Sequence, residues 1–345
     1  MLRLFVFAML VCLPASLAAQ ALDSLLSFGH RIDSSAISFA QQADEKLYER
    51  QHRVSVDTNF IRIPEERWTF KSTFNADFNT LGISQLNDGD GASVQLISAV
   101  AMSQGMSVSW RNITVGFSIN PAWFIKSLKN DDFCGSFSMY GNRIGMAATV
   151  RKTTTLAGKV TALPDSLVAD VPWGSCQDFS ADFDAYYAFN GREFSYPAAF
   201  SHSQIQKRSA GSPLVSLSIR NGKTTLERID QLENEPMTVW TNMLCLGGGY
   251  AHNFVTEHNW LIHVSAVGNA AVLKYNRVHT ETDKRKLKGT VFDAVGSLQF
   301  SVLHMTGRFF YGMNATARGA MYGRLTTGMF NNSRTEIDVL FGLRL

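Results

Sequence analysis

The sequence predicts an all-β protein, an antiparallel transmembrane outer-membrane β-barrel of about twelve strands (10–14). Three observations predict it. From Glu66 to the last residue the hydrophobic pattern has period two, with turn residues between the alternating runs. The runs reach ~10 residues, the length a tilted strand needs to cross a bilayer, whereas sandwich strands average nearer 5–6. Aromatic residues gather near the ends of the runs, as interfacial girdles require: Trp68, Phe78, Trp110, Trp123, Phe124, Trp240, Tyr250, Trp260, Tyr275, Phe309 and Tyr322.

Composition agrees. Of 345 residues 45% are hydrophobic and 18% charged, below the ~25% charged of an average soluble domain. Lys+Arg 32 against Asp+Glu 29 leaves +3, too little for an electrostatic footprint on nucleic acid.

The N-terminus reads as an export signal. Arg3 precedes an apolar stretch from Leu4 to Leu13, and Ala19 and Ala21 satisfy a small-x-small cleavage rule. The apolar core is too short to span a membrane, so residues 1–21 are a Sec signal peptide with cleavage after Ala21. No later segment reaches ~18 apolar residues. Residues 22–60 form a periplasmic segment, with loose helical spacing between Leu22 and Arg50, and residues 61–345 the barrel. Export plus a barrel places the protein in the outer membrane of a Gram-negative cell, as a monomer. Its expected partners are outer-membrane lipid, lipopolysaccharide and the barrel-assembly machinery during biogenesis.

The first strand is the clearest. Trp68, Phe70, Phe74, Ala76 and Phe78 fall on one face; Thr69, Lys71, Thr73, Asn75, Asp77 and Asn79 fall on the other. Val94, Leu96, Val100 and Met102 form the next apolar face, and Ile113, Val115, Phe117 and Ile119 another. Phe133, Phe137 and Met139 change phase to Ile144, Met146, Ala148 and Val150 across Gly141-Asn142, which marks a tight hairpin or a bulge. Phe183, Ala185, Tyr187 and Phe189 oppose Asp182, Asp184 and Asn190, and Asn190-Gly191-Arg192 reads as a brief connector. Val215, Leu217 and Ile219 follow, then Trp240–Tyr250, Trp260–Val272, Val291–Val302 and Arg308–Ala320. The last strand sets Ile337, Val339, Phe341, Leu343 and Leu345 against Glu336, Asp338 and Arg344. A soluble periplasmic β-sandwich would bury the same alternation; strand length, girdles, alternating connectors and an apolar last residue favour the barrel.

Residues 187–211 read YAFNGREFSYPAAFSHSQIQKRSAG. Phe194-Ser195-Tyr196-Pro197-Ala198-Ala199-Phe200-Ser201, with Gln206-Lys207-Arg208-Ser209-Ala210-Gly211-Ser212, resembles a family of outer-membrane proteins of Bacteroides-type bacteria, domain-of-unknown-function family 4421. Asp57-Thr58-Asn59-Phe60-Ile61, Gly248-Gly249-Tyr250 and Asn259-Trp260-Leu261 extend the resemblance from Val54 to the C-terminus. It implies an outer-membrane barrel with no established activity.

The residues of that stretch carry expectations of their own. Pro197 cannot donate to a ladder and belongs at a bulge or strand margin. Tyr196 and Phe200 suit a membrane interface. Lys207 and Arg208 make a small basic turn able to hold an acidic headgroup or a lumenal carboxylate; a plain folding corner with a lumenal salt bridge is the simpler reading.

Catalytic signals are sparse. His263 and Ser265 share a face, the residue types of a lipid- or lipopolysaccharide-modifying hydrolase, yet two polar residues on a lumenal face are expected in any barrel. His202 and Ser203 point to opposite faces. The spacing of His252, His258 and His263 does not put three metal ligands on one strand face, and Gly247-Gly248-Gly249 lies within a strand, not at a phosphate loop. No catalytic residue, metal site or cofactor is expected. The run Asp283–Lys288 is a solvated loop. Cys134, Cys176 and Cys245 remain after cleavage, an odd number that allows one bond, Cys134 to Cys176, or three thiols.

Function therefore points to the lumen. Parity sends there Lys71, Asp77, Asp182, Asp184, Arg220, Asp293, Arg308, Arg318, Glu336, Asp338 and Arg344. The candidate binding residues are Asp182, Asp184, Arg308, Arg318, Glu336, Asp338 and Arg344, with Tyr196, Lys207 and Arg208. The expected function is binding or passing a small polar or amphiphilic solute; a structural or surface-interaction barrel fits the same pattern.

Overall fold

The computed structural model describes residues 56–85, 92–98, 100–119, 132–162, 167–228, 236–279, 284–286, 293–324 and 328–345, with 42, 45, 46 and 49. The chain divides into compact units Met1–Arg53 and Val54–Leu345, and the second carries the fold. The signal peptide at 1–21 and its cleavage point lie outside the described residues. So does the segment before Val56, apart from Gln42, Glu45, Lys46 and Glu49, which are helical.

The unit comprises β1 (Ile61–Arg62), β2 (Trp68–Gln85), β3 (Ala92–Ser98), β4 (Ala101–Trp110), β5 (Ile113–Ile119), β6 (Phe133–Met139), β7 (Ile144–Ala162), β8 (Leu167–Ala188), α1 (Tyr196–Ala199), β9 (Ile205–Gln206), β10 (Ala210–Leu226), β11 (Met237–Val255), β12 (Trp260–Lys274), β13 (Arg277–His279), β14 (Lys284–Lys286), β15 (Ala294–Thr306), β16 (Phe309–Arg324) and β17 (Gly328–Arg344). Twelve antiparallel strands close a barrel in the order β2, β4, β5, β6, β7, β8, β10, β11, β12, β15, β16, β17, with β17 pairing back onto β2. Closure pairs every one of these twelve strands on both sides, as a strand protein in lipid requires. No helix among the described residues is long and apolar enough to cross a membrane.

The predicted alternation sets the two faces. Phe74, Val115, Val215, Leu298 and Val339 are exposed on the outside, while Asn75, Thr114, Ser216 and Asn314 are buried within. Trp68 and Trp110 are register partners and stack at 6.1 Å. Connectors 111–112, 140–143, 256–259 and 307–308 are short and lie at one end, where Trp68 and Leu345 exchange backbone hydrogen bonds of 2.9 and 2.8 Å. Gly141-Asn142 is thus a hairpin turn. The connectors 86–91, 120–132, 227–236 and 275–293 at the opposite end are longer, but 163–166 and 325–327 there are as short as the turns, so the alternation of connector lengths holds only in part. The supposed brief connector at Asn190-Gly191-Arg192 instead opens a segment, 189–209, that joins β8 to β10 at the short-turn end.

The barrel narrows toward its long-loop end. On β2, Asp77 pairs with Ala101 and Thr80 with Ile97, so β3 and β4 form one strand interrupted by a single extra residue. That bulge reverses the phase. Leu96 is consequently buried inside while Val100 and Met102 are exposed outside, which corrects the expectation that all three share a face. Beyond the bulge β3 pairs directly with β7, and β5 and β6 drop out of the wall. Where β6 ends, the Asp132 carboxylate accepts from Thr154 N at 2.6 Å, Thr154 Oγ1 at 2.9 Å and Thr155 Oγ1 at 3.2 Å. It thereby satisfies an N–H that has lost its ladder partner.

The interior is not uniformly polar. At the long-loop end Leu81, Leu96, Leu156, Val171, Cys176 and Leu226 form a buried apolar cluster, and Val239, Met243, Cys245 and Val295 form a second. Cys134, Cys176 and Cys245 are free thiols, the second of the two arrangements the sequence allowed.

Candidate functional site: a plugged lumen

Residues 189–209 fold back into the barrel as a plug. Ser195 starts α1 as its N-cap, with φ −119° and ψ 104°, and accepts from Ala198 N at 3.2 Å; Pro197 occupies the first turn. A proline there costs nothing, because a first-turn N–H has no intrahelical partner anyway. Pro197 is therefore a helix starter, not the strand-margin residue expected, and Ser195-Tyr196-Pro197 was the readable signal.

Two aromatic clamps hold the plug. On one wall Tyr186 lies over its register partner Gly145, whose added Cβ would run into the ring. It stacks on Tyr196 of the plug at 4.5 Å. On the other wall Phe310 lies over its register partner Gly342 in the same way and stacks on His202 at 4.2 Å. Glycine at each position leaves the room a ring needs beside a strand. Tyr196 and Phe200 are thus lumenal plug residues, not interface anchors: Tyr196 is buried and donates to Gln299 Oε1 at 2.6 Å.

A polar network ties the plug to the wall. Asn253 Nδ2 donates to Ser195 O at 2.8 Å and Gln206 Oε1 at 3.0 Å. That leaves Asn253 Oδ1 as acceptor for His263 Nδ1 at 2.7 Å, so Nδ1 carries the proton. Ser195 Oγ donates to Gln204 Oε1 at 2.6 Å, and Gln204 Nε2 to Asn142 Oδ1 at 2.7 Å. Outside the plug, β1 pairs with β9, Asp57 N donates to Arg192 O at 2.8 Å and Lys207 N to Phe60 O at 2.6 Å. The segment before β2 is thus strapped to the plug.

His263 and Ser265 do face inward together, but each is engaged elsewhere. Ser265 Oγ donates to Gln299 Oε1 at 3.2 Å, and His263 is enclosed by Phe194, Tyr196 and Phe200. His263 Nε2, the nitrogen that would act as a base, bonds no serine among the described residues.

Above the plug lies a cavity of about 190 Å³ whose lining includes Lys71, Asn75, Tyr140, Phe200, Gln299, Asn314, Glu336 and Asp338. Asn314, Asp338 and Asn75 are successive register partners on β16, β17 and β2. Their Oδ1 atoms are buried and have no hydrogen-bond partner among the described residues. One level higher is a ring of charge: Arg334 Nη2 to Asp77 Oδ1 at 2.6 Å, Arg151 Nη1 to Asp77 Oδ2 at 3.4 Å and Arg151 Nη2 to Glu336 Oε2 at 3.2 Å. Across the lumen Arg220 grips Asp184 with two bonds of 2.7 and 3.1 Å, and reaches Asp182 at 3.9 Å. Arg318 makes no ion pair within 4.0 Å among the described residues, and it lines both this cavity and a second one of about 100 Å³ above it.

Of the predicted site residues, Asp182, Asp184, Arg318, Glu336 and Asp338 face the lumen. Arg308 does not: it sits on the exposed 307–308 turn and pairs with Glu66 at 3.4 Å. Parity fails there because the strand has already ended. Arg344 is buried beneath the plug, where its Nε donates to His202 O at 2.7 Å and its guanidinium lies over Phe310 at 5.1 Å. Lys207 Nζ donates to Thr58 O at 2.9 Å and Arg208 lies over Phe60 at 5.9 Å. They clasp the strap and meet no lumenal carboxylate. Arg151 and Arg334 were missed, although Arg334 shares parity with Glu336 and Asp338 and Arg151 is out of phase with the apolar face Ile144 to Val150.

A family model described as domain of unknown function (DUF4421) matches residues 55–344. The chain belongs to the DUF4421 family. In this DUF4421 chain the FSYPAAF stretch that carried the resemblance is the plug itself. No curated protein sequence matches the chain. Similar solved structures include the outer membrane protease OmpT from Escherichia coli, with 7% identity and TM-score 0.39 over 82% of this chain and 97% of that one. The translocator domain of autotransporter NalP from Neisseria meningitidis is 9% identical, with TM-score 0.30 over 88% and 98%. The COG4313 outer membrane channel from Pseudomonas putida F1 is 8% identical, with TM-score 0.31 over 83% and 99%.

The plug carries a pH dependence. Burial, with Lys71 and Arg344 as cationic neighbours, holds His202 well below its ordinary value of 6.5. The folded state thus refuses a proton that the unfolded state accepts, so stability falls as pH drops below 6.5, by up to ~1.4 kcal/mol per pH unit. Unfolding midpoints measured from pH 7.5 to 5 in the parent and in His202→Asn should differ by that contribution, the variant losing less stability as the pH falls. Asn suits the test because residue 202 has φ +58°, a left-handed backbone that Asn tolerates.

Proposed function

We propose that the chain is an outer-membrane barrel that binds a small polar solute between its plug and its ring of charge, and passes it only when the plug moves. The exposed apolar belt with an aromatic margin supports the membrane location. By the same rule the short turns, and hence the plug, face the periplasm. The row Asn314, Asp338 and Asn75 carries the binding reading: three adjacent buried acceptors without partners are costly unless a donor-bearing molecule meets them. Arg318, with no ion pair of its own among the described residues, suits an acidic group on the same solute.

The test is native mass spectrometry of protein extracted from outer membranes, then titration with amino acids, short peptides and sugars. A small polar adduct should be present and should bind about tenfold more weakly to Asp338→Ala. Protein that carries no adduct and binds none of the panel refutes the reading.

A further inference from the structure

The outside of the barrel holds a feature that the lumen does not explain. Register pairs run Phe133 to Lys152, Lys152 to Phe179, Phe179 to Lys223, Lys223 to Trp240 and Trp240 to Arg277. Aromatic and cationic residues thus alternate along one register row across six neighbouring strands, and because the strands are tilted the row climbs from β6 toward β13. Side chains of register partners leave the sheet on the same face, and the inward neighbours Arg151, Thr224 and Val239 are buried, so the row faces outward. Lys223 Nζ lies over the Trp240 ring at 5.1 Å and Arg277 over Tyr275 at 4.2 Å.

The row crosses the margin of the apolar belt. On the short-turn side the outward positions are apolar: Ile144 to Val150 on β7, Phe183 and Tyr187 on β8, and Val215 to Ile219 on β10, after which Asn221 and its register partner Asn242 on β11 precede Lys223 and Trp240. On the other side they are polar, with Gln177 and Ser175 on β8 and Thr225 on β10. Phe179 lies nine residues along β8 from Ala188, about 30 Å of strand and ~23 Å of membrane depth at a ~40° tilt. That puts Phe179 at the upper edge of a belt ~25 Å tall, and the row carries Lys223 and Arg277 above that edge. Alternate strands put Lys152, Lys223 and Arg277 ~10 Å apart, and the row itself contains no carboxylate.

We infer that this row binds the phosphate groups of an anionic lipid in the leaflet on the long-loop side. Ammonium and guanidinium groups at the headgroup level form charge-assisted bonds to phosphate oxygens, and the intervening rings pack on the sugar or acyl stems beneath. A soluble anion would not need a site turned toward the bilayer. The inference rests on the outer-membrane reading above.

The purified full chain in neutral detergent, titrated with bisphosphorylated lipid A, with its phosphate-free counterpart and with inorganic phosphate, tests it by native mass spectrometry. The bisphosphorylated lipid should bind at least about tenfold more tightly than the phosphate-free one, and Lys223→Gln with Arg277→Gln should remove that margin. Arg192→Gln, on the exposed surface at the opposite end, should keep it. Equal retention of the phosphate-free lipid, an unchanged double variant, or equal occupancy by inorganic phosphate overturns the proposal. Heat-dependent gel mobility separates the two readings. A double variant that still runs as a closed barrel from the outer-membrane fraction, and binds lipid like the parent, defeats this inference alone. A parent chain recovered as soluble protein with no mobility shift defeats the membrane reading beneath it.

Discussion

Replacing residues 194–206 with a short Gly-Ser bridge should raise the reaction rate of Cys134 with a membrane-impermeant maleimide at least about tenfold. Cys134 lines the cavity above the plug, and its route to the short-turn end passes Tyr140, Phe200 and Tyr196, whose rings pack at 5.0 to 6.0 Å from one another. A Cys176→Ala, Cys245→Ala background leaves Cys134 as the one thiol of residues 22–345. Asn253→Ala is the gentler companion, because it leaves the plug sequence whole and removes the amide shared by Ser195, Gln206 and His263. It should give a smaller rise, about threefold, for the loss of a buried network member. Labelling that stays slow in both variants would show that the plug is not the barrier. Ionic conductance need not rise in parallel, since the apolar cluster around Leu81, Leu156 and Leu226 lies at the far end and a dry constriction can stop ions by itself.

The ring of charge should behave as one unit. Asp77→Ala leaves Arg151 without one carboxylate and Arg334 without its own, with both guanidinium groups largely buried. The expected loss is about 3 kcal/mol, in the range for breaking a buried ion pair. Arg334→Ala alone should cost less, because Asp77 keeps Arg151. The double variant should cost clearly less than the sum of the two, with a coupling of about 1–2 kcal/mol. Urea unfolding of the four proteins in lipid vesicles measures the cycle. Strict additivity would mean that lumenal water already screens the pair.

Much of the barrel was legible because the period-two pattern is local. Each residue of β2 or β17 carries its own preference for lipid or lumen, and the preferences agree along the strand, so faces, strand number and the lumenal placement of Asp182, Glu336 and Asp338 follow directly. The pattern failed where one residue was inserted. Nothing in the sequence Ser98-Ala99-Val100 announces a bulge, yet the phase changes across it, with Leu96 inward and Met102 outward. It failed also at Arg308, one residue beyond the strand whose parity it borrowed.

The plug was the larger loss. FSYPAAF contains aromatics at strand-like spacing, and in a barrel that composition reads as an interfacial girdle. Its fate depends on partners distant in sequence: Gly145 and Gly342, which make room for Tyr186 and Phe310, and Asn253, Gln299 and Arg344, which satisfy it. None of these is marked as a partner by its own neighbours in the chain. The alternation of side chains is written residue by residue, so a closed twelve-stranded barrel and the polarity of its two faces follow from the order of amino acids. Which charges neutralise one another across the lumen, which acceptors are left without donors, and which segment turns inward depend on strand register around a closed sheet. Register is a property of the whole ring, and it exists once the last strand has paired with the first.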